Sequence, residues 1–168
     1  KYKIPYYFID PKPLAPTKEQ VESEILAEYI NRNLKKCTLE YTHVKDMQVS
    51  DGAVDASVTI GVDALAFVVT YPVEIVRGSE RAYYDTWTYD LKSRLLWMHG
   101  AARTVMQLAQ QDSGLVYWDY MTDMTRYGYN ITAHAERDST ILYRMVDPHS
   151  LVHKEPFVLQ WAMKVTPE

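Results

Sequence analysis

The stretch that decides the fold runs from residue 53 to residue 76 and reads AVDASVTIGVDALAFVVTYPVEIV. In its first part, apolar residues from Val54 to Ile60 alternate with polar ones, which is the two-residue period of a strand with one buried face. A turn follows at residues 61–63, and the apolar run Phe67–Tyr71 then indicates a central strand. The stretch therefore predicts an antiparallel hairpin inside a sheet, with Pro72 at a bulge or facing away from a partner.

More strands and two helices surround this hairpin. Strands are predicted at 44–50 and 82–91 on either side of it, and three closing strands at 129–136, 139–146 and 157–165, the last two joined by a loop at 147–149. Helices are predicted at 18–36 and at about 92–111, and a short helix or an ordered loop near 115–121. The whole pattern predicts the α+β class, with an antiparallel sheet (a meander plus closing strands) packed on one face by two main helices.

The first helix has clear end signals. Thr17 can cap it, with Gln20 reaching back, and glutamates precede lysines along it in the order that suits the helix dipole. Its predicted buried stripe comprises Val21, Ile25, Leu26, Tyr29, Ile30, Leu34 and Cys37. On that count Cys37 is a small buried hydrophobe.

Residues 1–16 predict an extended, proline-rich stalk, followed by a single globular α+β domain over residues 17–168. Four prolines, at positions 5, 11, 13 and 16, fix local φ and favour a semi-rigid spacer. The chain opens on Lys1, so we expect either that a signal or membrane anchor precedes it or that the chain was cut there. A third hypothesis is that residues 1–10 add as a strand to a neighbouring molecule's sheet.

Composition excludes several classes of function. The 168 residues carry 18 Lys and Arg against 22 Asp and Glu, without a basic block, which disfavours nucleic-acid binding. The single cysteine excludes a disulfide scaffold. Tyrosine is abundant, with 14 copies beside 3 Phe, which suits half-buried strands and protein contact surfaces.

Catalytic signals are sparse. His99 and Arg103 lie one turn apart, Asp119 and Asp123 could share a helix face, and Asp147, His149 and His153 could in principle bind a metal. A surface pair, a solvated face and an ordinary turn are the favoured interpretations, so we predict neither a cofactor nor a metal. Asn130-Ile131-Thr132 fits the glycosylation pattern, which makes Asn130 a candidate modification site if the protein is exported.

Two binding hypotheses follow from the aromatic residues. Tyr83, Trp87 and Tyr89 share one strand face and would form a protein contact patch if exposed, although burial beneath the long helix is the favoured interpretation. The rival hypothesis is a pocket that binds or hydrolyses a small ligand, in which Trp97 and His99 converge with Asp119 and His134.

The order of these elements resembles a group of uncharacterised archaeal surface proteins. The residues that carry the likeness are Tyr29–Cys37, Val58–Gly61, Val68–Val73, Asp147-Pro148 and Glu155–Ala162. Members of that group have a single pilin-like amino-terminal membrane span, a proline-containing spacer and one extracytoplasmic domain. The resemblance implies a non-enzymatic cell-surface domain that contacts a protein partner or copies of itself, with the membrane reached only through an upstream anchor.

Overall fold

The chain folds into two compact units, each with its own sheet. The computed structural model describes residues 3–38, 46–111 and 118–165. One unit comprises Thr17–Leu91, and the other comprises Lys1–Pro16 together with Lys92–Glu168. The α+β class is confirmed. The single sheet and the single domain expected over residues 17–168 are replaced by two sheets and two units, because strand periodicity does not say which strands pair.

The Thr17–Leu91 unit begins with one continuous helix. It consists of α1 (Lys18–Gln20), a π-helical segment (Val21–Ala27) and α2 (Glu28–Cys37). The predicted cap is confirmed, since the Thr17 side chain accepts from the Gln20 amide at 3.2 Å and the Gln20 side chain accepts from the Thr17 amide at 2.9 Å. This reciprocal pair satisfies two amides at the helix start.

The π-helical segment changes which residues face the sheet. Its hydrogen bonds span five residues instead of four, so Leu26 follows Val21 on the packed face and Ile25 is exposed. Tyr29 and Cys37, which the α-helical count placed on the buried side, are exposed as well. The predicted burial of Cys37 is therefore wrong.

The sheet of this unit is built on the hairpin quoted first. It contains β3 (Gln48–Asp51), β4 (Asp55–Ile60), β5 (Ala64–Arg77) and β6 (Glu80–Lys92), and the other three strands all pair with β5. Pro72 lies between the part of β5 that pairs with β4 and the part that pairs with β3, and its carbonyl accepts from the Gly52 amide at 2.8 Å. Its placement at a bulge or facing away from a partner stays a prediction. Residues 44 and 45 of the predicted first strand lie outside the described residues.

The helix packs on one side of β4 and β5. Ala27, Ala56 and Val58 form the buried cluster, and Leu26, Ile30, Phe67 and Val69 pack around it. Alternation along β4 is as predicted, with every second residue buried.

The second unit contains a five-stranded sheet in the order β2-β1-β9-β8-β7. Its strands are β1 (Tyr6–Ile9), β2 (Lys12–Pro13), β7 (Asn130–Ala135), β8 (Thr140–Val152) and β9 (Glu155–Lys164), and its helices are α3 (Leu95–Gln111) and α4 (Trp118–Arg126). Helix α3 contacts β1 and β9, and α4 contacts β7. The predicted loop at residues 147–149 is instead an irregular part of β8, and the chain turns at His153 and Lys154.

The amino-terminal segment is part of this sheet, so the predicted stalk is wrong. Strand β1 pairs in parallel with β9, and the Ala162 amide donates to the Pro5 carbonyl at 2.8 Å. Tyr7 and Phe8 are buried in the core. The prolines lie before the strand, at its turn and on the edge strand β2, which are positions where a missing amide costs little.

The same pairing replaces the strand-exchange hypothesis, because β1 adds to the sheet of its own chain. Three aromatic rings hold it there: Trp161 lies between Tyr143, at a centroid distance of 5.1 Å, and Tyr7, at 6.1 Å. Such stacked pairs stabilise by about 0.5–1.5 kcal/mol beyond the burial of their area.

Candidate functional site

A group of exposed aromatic side chains on β6 is the first candidate site. It consists of Tyr83, Trp87 and Tyr89, whose exposed fractions are 65%, 47% and 64%. The interpretation that buried these residues beneath a helix is therefore wrong, and the condition set for a contact patch is met. Contiguous exposed apolar patches often mark interaction sites.

The side chains of Trp87 and Tyr89 lie on the helix side of the sheet. The Tyr89 ring lies 6.3 Å from that of Phe67, which packs against the helix cluster, and the Trp87 indole N–H donates to the Tyr71 carbonyl at 3.3 Å. Because the helix covers β4 and β5, the same side of β6 is left in solvent. Tyr84, on the same strand, stacks on Trp87 at 5.6 Å and enlarges the aromatic area.

The two outer edges of this sheet differ. At β4, the Ala56 amide donates to Asn31 Oδ1 at 2.8 Å and the Ile60 amide donates to Glu22 Oε1 at 2.6 Å. These amides belong to the edge that faces away from β5, so the helix blocks it. Among the described residues β6 pairs with β5 alone, and no described side chain binds the backbone of its other edge.

A groove in the second unit is the other candidate site. It has a volume of about 530 Å³ and lies between α3 and α4. Its lining is mainly apolar and aromatic: Arg94, Leu96, Trp97, Gly100, Ala101, Thr104, Tyr120, Met124, Tyr127 and Tyr129. Such a groove suits a flat apolar molecule, whose faces the rings can cover.

Arg94 lines the groove and is held by β8 and by the turn between α4 and β7. Its Nε donates to Asp147 Oδ2 at 2.9 Å, its Nη2 donates to Asp147 Oδ1, and its Nη1 donates to the Tyr127 carbonyl at 3.0 Å. The guanidinium also lies 4.2 Å from the centre of the Tyr129 ring. Its charge is thus committed to a buried carboxylate.

Asp147 is fully buried and is surrounded by donors. The Ser150 hydroxyl donates to Oδ2 at 2.5 Å and the His149 amide donates to Oδ1 at 3.0 Å. Burial by itself raises the pKa of Asp147, but the hydrogen bonds from Arg94, Ser150 and His149 outweigh it and lower the pKa from 3.8 to about 2. The carboxylate therefore stays ionised and holds the Arg94 guanidinium in place.

The residues of the pocket hypothesis do not converge. Trp97 lines the groove, but His99 is buried elsewhere on α3 and its Nε2–H donates to the Pro16 carbonyl at 2.9 Å. Asp119 and His134 are exposed, and neither lines the groove. The predicted meeting of these four side chains is wrong, because only Trp97 lines the groove.

The structure also places the candidate modification and metal-binding residues. Asn130 is exposed at the start of the edge strand β7, and its glycosylation stays a prediction. Asp147 is bound by Arg94, while His149 and His153 are exposed. Within residues 3–38, 46–111 and 118–165, no three His, Cys, Asp or Glu side chains are grouped as a metal site would require.

Sequence reasoning missed Arg94, Tyr127 and Tyr129. The one available signal was the Asp147-Pro148-His149-Ser150 segment, whose aspartate can bind its own backbone two residues on, as it does here. Nothing in the sequence paired that segment with Arg94, which lies 53 positions away.

No described helix has both the length and the apolar character needed to cross a membrane. Comparisons with known protein families, with curated proteins and with solved structures find no match for the chain. The resemblance to archaeal surface proteins therefore stays a prediction.

Replacing Asp147 by asparagine tests the ion pair between Arg94 and Asp147. We expect D147N to lower the free energy of unfolding at pH 7 by about 3 kcal/mol, because Arg94 loses its buried partner. The folded-state pKa lies below the ordinary value, so the stabilisation is full above pH 4 and is lost as pH falls towards 2. Urea unfolding at several pH values should show that the difference in free energy of unfolding between the native protein and D147N shrinks as the pH falls from 4 to 2.

The matched control is D123N, which removes an exposed carboxylate paired with Arg126 and should change stability by less than about 0.5 kcal/mol. If the difference in free energy of unfolding between the native protein and D147N did not depend on pH, the assignment of Asp147 as an ionised partner of Arg94 would be contradicted.

Proposed function

We propose that this protein is a non-enzymatic contact domain that binds another protein through the exposed aromatic side chains of β6. The observation that carries the proposal is the joint exposure of Tyr83, Trp87 and Tyr89 on a strand with an unpaired outer edge. Aromatic side chains contribute most of the binding energy in protein interfaces, since they release much water at little entropic cost. An unpaired edge adds main-chain donors and acceptors for a partner strand.

We further propose that the domain acts outside the cytoplasm, held by a membrane span upstream of Lys1. The support is the resemblance described above and the exposure of Asn130. The coding sequence upstream of Lys1 tests this: about 20 consecutive apolar residues are expected there. An initiator Met directly before Lys1 would contradict the location without affecting the contact face.

A photocrosslinker tests the contact face. We expect benzoylphenylalanine at position 83, in the full-length protein in its source cells, to form a crosslink to a protein that mass spectrometry can identify. The matched control is the same residue at position 62, where Val62 is exposed in the β4–β5 turn of the same unit. Absence of a crosslink from position 83, or equal crosslinking from both positions, would overturn the proposed function.

The groove supports a second candidate function, the binding of a small apolar molecule. Its volume of about 530 Å³ falls within the range of ligand sites. Hydrolysis is not part of this proposal, because His99, Asp119 and His134 lie outside the groove. Recognition would come from ring stacking on Trp97 and Tyr127.

Gly100→Leu tests this candidate by filling the groove. A β-carbon at Gly100 meets no atom within 4 Å, so the leucine side chain enters open space. We expect binding of the apolar dye anilinonaphthalene sulfonate, measured by fluorescence, to fall at least about tenfold, while thermal stability holds or rises because glycine disfavours a helix interior. Unchanged dye binding would contradict the candidate, and Gln107→Leu, an exposed position on α3 outside the groove, is the control.

A further inference from the structure

We propose that the partner of β6 presents an extended, positively charged segment, whose lysine or arginine side chains bind the exposed rings and carboxylates of this strand. This inference rests on the proposed function, since it names the chemistry of the protein that the aromatic side chains of β6 contact. Exposure and charge along the strand carry it, whichever side of the sheet each ring occupies.

Most of β6 is open to solvent on both sides of the sheet. Every residue from Tyr83 to Asp90 is exposed, in a strand of 13 residues. Among the described strands β6 pairs with β5 alone, which leaves its outer edge without a partner. An extended segment can therefore add to β6 as a further strand, and its side chains then meet those of β6 on either side.

The rings that β6 exposes are good ligands for cations. Tyr84 and Trp87 have exposed fractions of 50% and 47%, and their ring centres lie 5.6 Å apart in a stacked pair. Tyr83 and Tyr89 are more exposed still. An ammonium or guanidinium group over such a ring is attracted by the negative charge of the ring face, most strongly over tryptophan. Lysine and arginine are therefore the side chains that suit this surface.

Two carboxylates without an ion-pair partner lie among these rings. Asp85 and Asp90 each follow a tyrosine of the group directly in the strand, and both are exposed. Neither forms an ion pair with another described residue. Arg81, the basic residue of β6 within Thr17–Leu91, is already paired with Glu74 at 3.4 Å. The strand thus presents uncompensated negative charge beside its rings.

The whole Thr17–Leu91 unit carries charge of the same sign. Its sequence has seven Lys and Arg against 13 Asp and Glu, a formal net charge of −6. The rest of the chain has 11 against nine, a net charge of +2, so the negative balance of the protein comes from this unit. Its field attracts a basic segment and speeds the encounter, and it repels phosphate-bearing partners.

Other occupants of β6 leave charges unpaired. An apolar segment would cover the rings but would take Asp85 and Asp90 out of water without a partner, which costs free energy. A second copy that paired through β6 would bring the same two carboxylates to the interface again, and like charges close together oppose binding. A basic segment supplies a counter-charge and a ring ligand in the same side chain.

Peptide binding by the purified chain tests the charge of the partner. The probe is a fluorescein-labelled peptide of alternating lysine and threonine, and the comparison peptide has glutamate in place of lysine. Fluorescence anisotropy should show binding of the lysine peptide only, weakened at least about fivefold between about 0.05 M and about 0.3 M salt, because salt screens exposed charges. Equal binding of the two peptides, or no binding of the lysine peptide, would overturn the inference.

Replacing the two carboxylates locates the binding on β6. D85N/D90N should weaken binding of the lysine peptide about tenfold, since two ion pairs with the peptide are lost. The matched control is D55N/D63N, which removes the same charge from two exposed carboxylates of the same unit outside β6, and it should change the affinity less than about twofold. An equal loss in the two double variants would place the peptide elsewhere and contradict the proposed site.

Removing a ring tests the cation contact separately from the ion pairs. Tyr84→Leu keeps an apolar side chain but lacks the ring face, and it should weaken binding of the lysine peptide about threefold. Tyr29→Leu is the matched control, because Tyr29 is an exposed tyrosine on the helix of the same unit. If both substitutions had the same effect on the affinity, the rings of β6 would have no part in binding and the inference would fail.

The contact function and the basic partner fail in different ways. Mass spectrometry of the crosslink formed from position 83 in the source cells should find at least two Lys or Arg within about one strand length of the crosslinked residue. A crosslinked segment without them would overturn the basic partner and leave the contact function intact. No crosslink from position 83 to any protein would remove both.

Discussion

The ion pair between Arg94 and Asp147 is the constraint on which the second unit, residues 1–16 and 92–168, depends. It joins the start of α3 to the irregular part of β8, and through Tyr127 and Tyr129 it fixes the turn between α4 and β7. A carboxylate that is fully buried needs such a set of donors, because each unsatisfied charge in the interior costs several kcal/mol. Arg94 lines the groove, so this pair commits the charge of that lining residue to Asp147.

Parallel pairing of β1 with β9 gives the same unit its second fixed point. Strands β7, β8 and β9 pair with sequence neighbours, but β1 and β9 come from distant parts of the chain, so their pairing carries a larger loop-closure cost. The stack of Tyr7, Trp161 and Tyr143 supplies the apolar contact that secures this long-range pairing.

In the Thr17–Leu91 unit, the two outer edges of the sheet differ, because the helix blocks the β4 edge only. A seven-residue π-helical segment shifts the helix so that Glu22 and Asn31 reach the β4 edge, while β6 keeps its aromatic side chains and its outer edge in solvent. A sheet with one blocked edge and one exposed edge suits a domain that contacts a partner at the exposed edge only.

The sequence by itself determined the elements, because their signals are local: Thr17 and Gln20 mark a helix start, alternation from Val54 to Ile60 marks a strand, and Pro72 marks a break in pairing. Only the tertiary structure decided that the strands form two sheets, that Tyr7 and Phe8 are core residues, that His99 binds Pro16, and that Arg94 meets Asp147. These depend on pairings between distant residues, and no local period carries that information.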